Sequence, residues 1–432
     1  MSPSRMRLSR PASSMPVWRP AGGMLRAVLG YPSAPQDIDG IDDMSPFAIR
    51  VTSDVDDPML ADAWQQLADD GRASVFQSHV WQKGLVEHFL KPQGITPYIV
   101  AVSDAETWQP LAILPLQRTQ SKGIRRIDTL GHAFCDTAMP LLAAGFEPDE
   151  ATTEALLEAV IAALPAADIL SLTKMPKTFY GTRNPFAALA GCHSTADMTF
   201  PVELDAFKPG FVGATSAYKT YQKQWRKLTR RDGIAFEIFA EPGDIARAFD
   251  AMIAMRNSRF DALSRDDLLD DPNVAAFYRE MALKPKSERV VTMTGLKVGD
   301  AYTAYIYMMN NGKRLSTVIS AIDNTVGNAY APGLILFTKI FERAVEMDYE
   351  AADIGIGHMH YKTRFAPSPS PLVALDRGLT LKGKAIVGLQ SAKRGLKSWA
   401  KDNAFVRRIA EKFLKRRVAK PVETAKPTAE EE

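Results

Sequence analysis

The chain lacks most of the features that place a protein quickly. No run of apolar residues approaches the roughly 18 needed to cross a bilayer as a helix. Its two cysteines, Cys135 and Cys192, lie far apart and without C-x-x-C spacing. Isolated thiols of a reducing compartment are the expectation. Neither sign of charge dominates: 53 Lys and Arg against 50 Asp and Glu leave a net +3. That is too little for overall charge to select a nucleic-acid partner. A Walker loop, a G-x-S-x-G elbow and an H-E-x-x-H helix are all missing. The opening MSPSRMRLSRPASSMPVWRP has neither the hydrophobic core nor the cleavage site of a signal peptide, so a cytoplasmic chain with a disordered segment 1–46 is expected.

What remains is the composition of a folded protein. At 432 residues, 46% hydrophobic and 9% aromatic, the chain suits two domains with packed cores. From Phe47, FAIRV reads as a strand and PMLADAWQQLADDG as a helix. The strands ITPYIVAVSD and WQPLAILPLQRT follow, then the helix DEATTEALLEAVIAALP and the buried strand ADILSLTKMP. This α/β unit spans 47–205 and ends in the turn-rich PFAALAGCHSTADMTFPVEL. Residues 206–376 repeat the plan. A basic helix KTYQKQWRKLTRRDG precedes strand IAFEIFA, two helices, and the extended runs RVVTMTGLKV, AYTAYIYMM and KRLSTVISAI. A loop, the helix LILFTKIFERAVEM and the strand AADIGIG complete it. Two tandem modules of α/β type with mixed sheets are therefore expected. Residues 377–420 are basic with interleaved Ile386, Leu389, Leu396 and Trp399, the pattern of an amphipathic helix for an anionic membrane surface or partner. Residues 421–432 read as a disordered acidic tail.

Chemistry concentrates in the second module. Pro332 suits the first turn of a helix, and Gly333 behind it lets another molecule approach the backbone. The amides of Gly333, Leu334 and Ile335 would then face an anion such as a pyrophosphate. Gly355-Ile356-Gly357 opens like a dinucleotide fingerprint, but His360 stands where the third glycine is needed. His358 and His360, with Asp353 upstream, lack a matched third ligand, so no metal is expected.

These pieces together resemble the GNAT-like acyltransferase domain of the CelD/BcsL group, relatives of the FemAB peptidyltransferases. The resemblance rests on KTYQKQWRKLTRRDG, on Arg256 and Arg259-Phe260, on LKVGDAYTAYIYMMNNGKRL, on YAPGLILFTKIFERAVE and on YEAADIGIGHMHYKTRF. In the first module it rests on FQSHVW, LAILPLQR and LGHAFCDTAMPLL. Arg256, Phe260 and Ile354 depart from the His, Trp and Phe that members often carry. The resemblance implies acyl transfer from acyl-CoA, acetyl-CoA among them, to an amine or hydroxyl on a small molecule or saccharide in envelope or polysaccharide synthesis, with no permanently bound cofactor. It places the pantetheine along Val318, Ile319 and Ser320, with the Ile319 amide on the thioester oxygen, and the pyrophosphate at Ala331, Gly333 and Leu334. His360 is then the base and Tyr361 the acid, with Arg226, Arg259, Lys362 and Arg364 for anionic groups of either substrate. The first module becomes a structural partner. Two other outcomes are an aminoacyl-tRNA-dependent transferase of FemAB type, though no coiled-coil arm is evident, and a non-catalytic assembly factor docked on a membrane-bound synthase through the basic tail.

Overall fold

A computed structural model describes residues 46–402, apart from 70–73, 180, 212–214, 231–232, 324, 326–330 and 358. The expectations for the N-terminal segment, for His358 and for the tail past Asp402 fall outside the described residues.

The first half runs β1 (Phe47–Thr52), α1 (Pro58–Asp69), α2 (His79–Leu85), β2 (Thr96–Asp104), β3 (Pro110–Ser121) and β4 (Ile124–Thr129). A short β5 (Leu141–Leu142), α3 (Glu150–Ala163) and β6 (Ile169–Pro176) follow, then the small hairpin β7 (Thr178–Phe179) and β8 (Thr182–Arg183). Next come β9 (Cys192–Thr199) and β10 (Pro201–Val202). The second half runs α4 (Ser216–Leu228), β11 (Ile234–Phe239), α5 (Pro242–Ala262), α6 (Pro272–Leu283), β12 (Val291–Val298), β13 (Ala301–Asn311) and β14 (Arg314–Ile322). It continues with α7 (Pro332–Glu346), β15 (Ala351–Asp353), α8 (Lys362–Phe365), β16 (Ser370–Gly378) and α9 (Leu381–Asp402).

Each half builds a mixed sheet. The first has the order β1-β2-β3-β4-β6-β16-β9 with β5 beside β3, and the second β10-β15-β14-β13-β12-β11. Neighbours pair antiparallel except β4 with β6 and β14 with β15. Parallel neighbours need a crossover rather than a hairpin, and α3 and α7 supply it. The expected mixed α/β architecture and the repeated element order are both present.

Two strands change sides. β16 inserts between β6 and β9 of the first sheet, while β10 pairs with β15 of the second. Residues 370–376 therefore hydrogen-bond with the first module's sheet, although the sequence reading placed them in the second. The supposedly turn-rich end of the first module likewise contains β9, an edge strand whose ladder is completed only by β16.

The largest apolar cluster crosses between the halves. Trp81 of α2 is fully buried and meets Phe277 and Tyr278 of α6 with ring centroids 4.8 and 5.6 Å apart. Phe89 stacks on Phe134 at 4.2 Å and sits 5.1 Å from Phe277. Helix approach here is close: a Cβ on Gly84 would lie 2.9 Å from the Met281 sulfur and 3.1 Å from Phe277. Both cysteines are unpaired, and desolvation pushes the buried Cys135 thiol up to about 12.

Candidate active site

The site is laid out by the parting of β14 and β15. Arg314, Leu315 and Ser316 pair with Ala351, Ala352 and Asp353, and there the ladder ends. β14 continues to Ile322, bonded on its other side to β13 alone. Against β13 its register slips between Tyr307↔Ile319 and Met308↔Thr317, which leaves Val318 as the extra residue of a bulge. Val318 and Ser320 are half-buried, and both Val318 and the buried Ile319 pack against the core between the modules. The Ser320 carbonyl is already taken by Arg256 Nη1 at 2.7 Å.

The opening leads to the start of α7. Ala331 holds a left-handed backbone, φ 52°, and no side chain caps the helix. Its carbonyl accepts from the Ile335 amide at 3.1 Å, so Ile335 is not one of the open donors that the sequence suggested. Gly333 and Leu334, with Pro332 before them, carry the turn's open amides. Gly333 is buried, and the Ile322 side chain fills the space its Cβ would need. The glycine is thus required by α7 seating on the end of β14, not by the approach of another molecule from its Cβ side.

Beyond β15 the chain turns at Gly355, φ +78°, where a Cβ would meet the Thr317 carbonyl at 2.9 Å. Asp136, from the first module, accepts from the Ile356 amide at 3.0 Å, and Asp353 accepts from the Gly355 amide. Lys362 is buried and donates to the carbonyls of Ile356 at 2.6 Å and Gly355 at 3.2 Å. Desolvation lowers the Lys362 pKa, raises that of Asp136 and pushes Asp353 up to about 6. Lys362 therefore clamps the turn from inside and does not present its charge to an acceptor, which corrects the sequence assignment. Arg364 donates to the Thr220 hydroxyl at 2.7 Å and ties α8 to α4.

A second group gathers on the open side of β14. Tyr361 is half-buried, with its ring 5.7 Å from Phe337. Desolvation raises its phenol above the usual value, opposed by a hydrogen bond with the Ser320 side chain and by the charges of Arg259 and Arg256. Arg256 is held by Asp267 through two contacts of 2.7 Å and lies 4.9 Å over the Phe260 ring. Arg259 brings a buried Nε without a hydrogen-bond partner. The structure thus brings Ser320, Tyr361, Arg256 and Arg259 into one neighbourhood.

Other assigned residues lie apart. His360 is exposed, and its carbonyl accepts from the Thr363 hydroxyl at 2.9 Å. Arg226 is exposed on an α4 ridge with Lys219, Lys223, Lys227 and Arg230. Tyr221 and Trp225 of the same helix both face Lys339 of α7, so the ridge lies on a helix packed alongside α7. Among the described residues no group of three or more His, Cys, Asp or Glu side chains could hold a metal ion. Sequence reasoning missed Asp136 and Asp267 altogether. Nothing local marks them, since their partners are 220 and 11 residues away.

Comparison with known proteins agrees with this layout. The acetyltransferase (GNAT) domain family matches residues 215–363, from α4 through β15 to the start of α8. Among solved structures, FemX superposes with a TM-score of 0.51 at 10% identity, covering 76% of this chain and 97% of its own. A conserved protein of unknown function from Bacteroides thetaiotaomicron gives 0.49 at 9% identity, covering 73% and 95%. The C-terminal domain of a putative lysylphosphatidylglycerol synthetase from Agrobacterium fabrum gives 0.45 at 14%, covering 77% and 96%. At such identities the likeness concerns the fold. No curated protein matches the chain. The molecule is a mixed α/β protein of two modules with a repeated element order, and residues 215–363 of the second match the acetyltransferase (GNAT) domain family.

Proposed function

We propose that the second module is the catalytic half of an acyl-CoA-dependent acyltransferase of the CelD/BcsL type. It would move an acetyl or other acyl group to an amine or hydroxyl of a small molecule or saccharide. One observation carries the reading: the edge of β14 released by β15 opens, past a bulge at Val318, onto an α7 start with no side-chain cap. A free strand edge suits an extended amide-bearing arm, and an uncapped helix start suits a pyrophosphate. The exposed ridge on α4, a helix packed beside α7, offers cations for further phosphates.

In this reading the Ile319 amide, beside the bulge, takes the thioester oxygen as charge develops. Tyr361 gives its proton to the departing thiolate. Its raised pKa keeps the phenol protonated at neutral pH, which an acid requires. His360, on the solvent side, accepts the proton of the attacking amine or hydroxyl. Arg259, with its unpartnered Nε, orients an anionic group of the acceptor.

Calorimetric titration with acetyl-CoA tests the reading. One site per chain is expected, and Tyr361→Phe should bind acetyl-CoA as the wild type does while transfer falls. No heat at millimolar acetyl-CoA would sink it. The basic α4 ridge also suits a polyanionic donor such as an aminoacyl-tRNA. Loss of activity after ribonuclease treatment would favour that second reading.

A further inference from the structure

We propose that α9 docks the protein onto a membrane surface rich in anionic lipid, lying in the plane of the headgroups. The helix has 22 residues and is therefore about 33 Å long. It is fastened near its start: Lys382 donates to the Gly123 carbonyl at 2.7 Å, and Gly383 lies tight against the Asp168 carbonyl. Further along, Arg394 reaches back to Asp376 at 3.3 Å. The helix exposes large apolar side chains along its length. Leu381 is 88% exposed, Leu389 59%, Leu396 65% and Trp399 57%.

Those four residues share one face. At about 100° per residue they fall within an arc of about 80°. Ala385, Gly388, Ala392 and Gly395 occupy the same stripe and are exposed, so nothing bulky interrupts it. The flanks are cationic: Lys382 and Lys393 border the stripe on one side and Lys384 on the other, with no acid among residues 381–396.

Charge selects the occupant. A second copy would bring the same basic flanks against these, with no acidic complement. An anionic lipid surface instead takes Leu and Trp into the acyl boundary and sets phosphates against the lysines. Among the described residues no helix is long and apolar enough to cross a membrane, so the helix would rest on the surface.

Flotation of the full chain with vesicles tests the proposal. Vesicles of phosphatidylcholine with a quarter phosphatidylglycerol should carry the protein, and pure phosphatidylcholine should not. The variant Leu389→Asp/Leu396→Asp/Trp399→Asp should remain at the bottom of the gradient with an unchanged thermal midpoint, because those side chains touch solvent. Lys393→Glu should lower partitioning by about tenfold. No flotation with anionic vesicles, equal flotation with neutral ones, or flotation undiminished in the triple variant would each overturn it. A dimer in sedimentation that the triple variant abolishes would overturn it too, by giving the face to a second copy.

Discussion

The two modules share one order of elements, yet the gaps between their parallel strands are lined differently. In the first, β4 and β6 pair over Arg126–Asp128 and Ile169–Ser171 and then part, as β14 and β15 do. There the chain fills its own gap. The Ala138 amide donates to the Lys174 carbonyl at 3.0 Å, and the Thr173 amide bonds to the Thr129 hydroxyl at 3.1 Å. Cys135, Thr137 and Met139 line what is left, a cavity of about 30 Å³. The following helices differ in the same sense. Asp149 caps α3 by accepting from the Thr152 amide at 2.8 Å, with Glu150 next to it. α7 has no acid in its first turn and no such cap. An acidic, capped helix start repels a pyrophosphate, and an open, neutral one attracts it. In the proposed reading, the loop through Ala138 and the acid at Asp149 are what keep such a site from forming in the first module.

The first half also supports the second. Its filling loop sends Asp136 to the Ile356 amide at the exit of β15, and Trp81 packs between the modules. Trp81→Ala should therefore have the largest effect, a loss of about 3–5 kcal/mol. Urea unfolding followed by circular dichroism measures it, and because the core is shared both modules should shift together. Two separate transitions, with only one displaced, would mean that the halves are energetically independent. Next in size is Tyr361→Phe, expected to lower kcat by about 10²-fold or more with little change in acyl-CoA affinity. An equal fall in affinity and rate would assign Tyr361 to binding alone.

The repeated element order and the α/β class were legible because apolar periodicity within each element reports its local geometry. The exchange of β10 and β16 was not. SPLVALDRG reads as a short apolar stretch after a run of prolines, and its ladder partners, Ile169–Pro176 and Cys192–Thr199, lie about 170–210 residues back. At the site, the Pro332-Gly333 helix start was readable, whereas AADIGIG, expected as one strand, stops at Asp353 and turns at Gly355. Side-chain direction was not readable. Lys362 reads as an exposed cation beside two histidines, yet it points inward because Asp136, Asp353 and two carbonyls surround it. Its burial is set by a loop of the other module, which no local pattern encodes.

That same cluster makes the joint between modules sensitive to pH. Asp353 titrates at about 6 in the fold against an ordinary 3.8, chiefly through desolvation. Between about pH 4 and 6 the folded chain binds more protons at this group than the unfolded chain does. Its contribution to stability therefore falls as pH rises through that window and levels off above it. Two units correspond to at most about 3 kcal/mol. Asp353→Asn keeps an acceptor for the Gly355 amide and removes the titration. Relative to wild type, the variant should gain stability from pH 4.5 to pH 7, read from urea midpoints. A difference that does not change with pH would show that Asp353 is ionised at little cost.

The smallest effect bears most directly on the contrast between the helix starts. Leu334→Glu places in the first turn of α7 the kind of charge that Glu150 gives α3. Leu334 is half-buried beside the open amides, so a glutamate can reach solvent there without emptying the core. Its charge opposes an incoming pyrophosphate by about 1 kcal/mol, which should weaken acetyl-CoA binding by about fivefold. Removing the cap from the first module by Asp149→Ala should cost about 1 kcal/mol of stability and create no second site, because the loop through Ala138 still occupies that gap. Titration calorimetry on both variants separates the two causes. If Asp149→Ala gained a second acetyl-CoA site, the acid alone would have closed the first module. If Leu334→Glu bound acetyl-CoA as tightly as wild type, the phosphates would not lie at the start of α7.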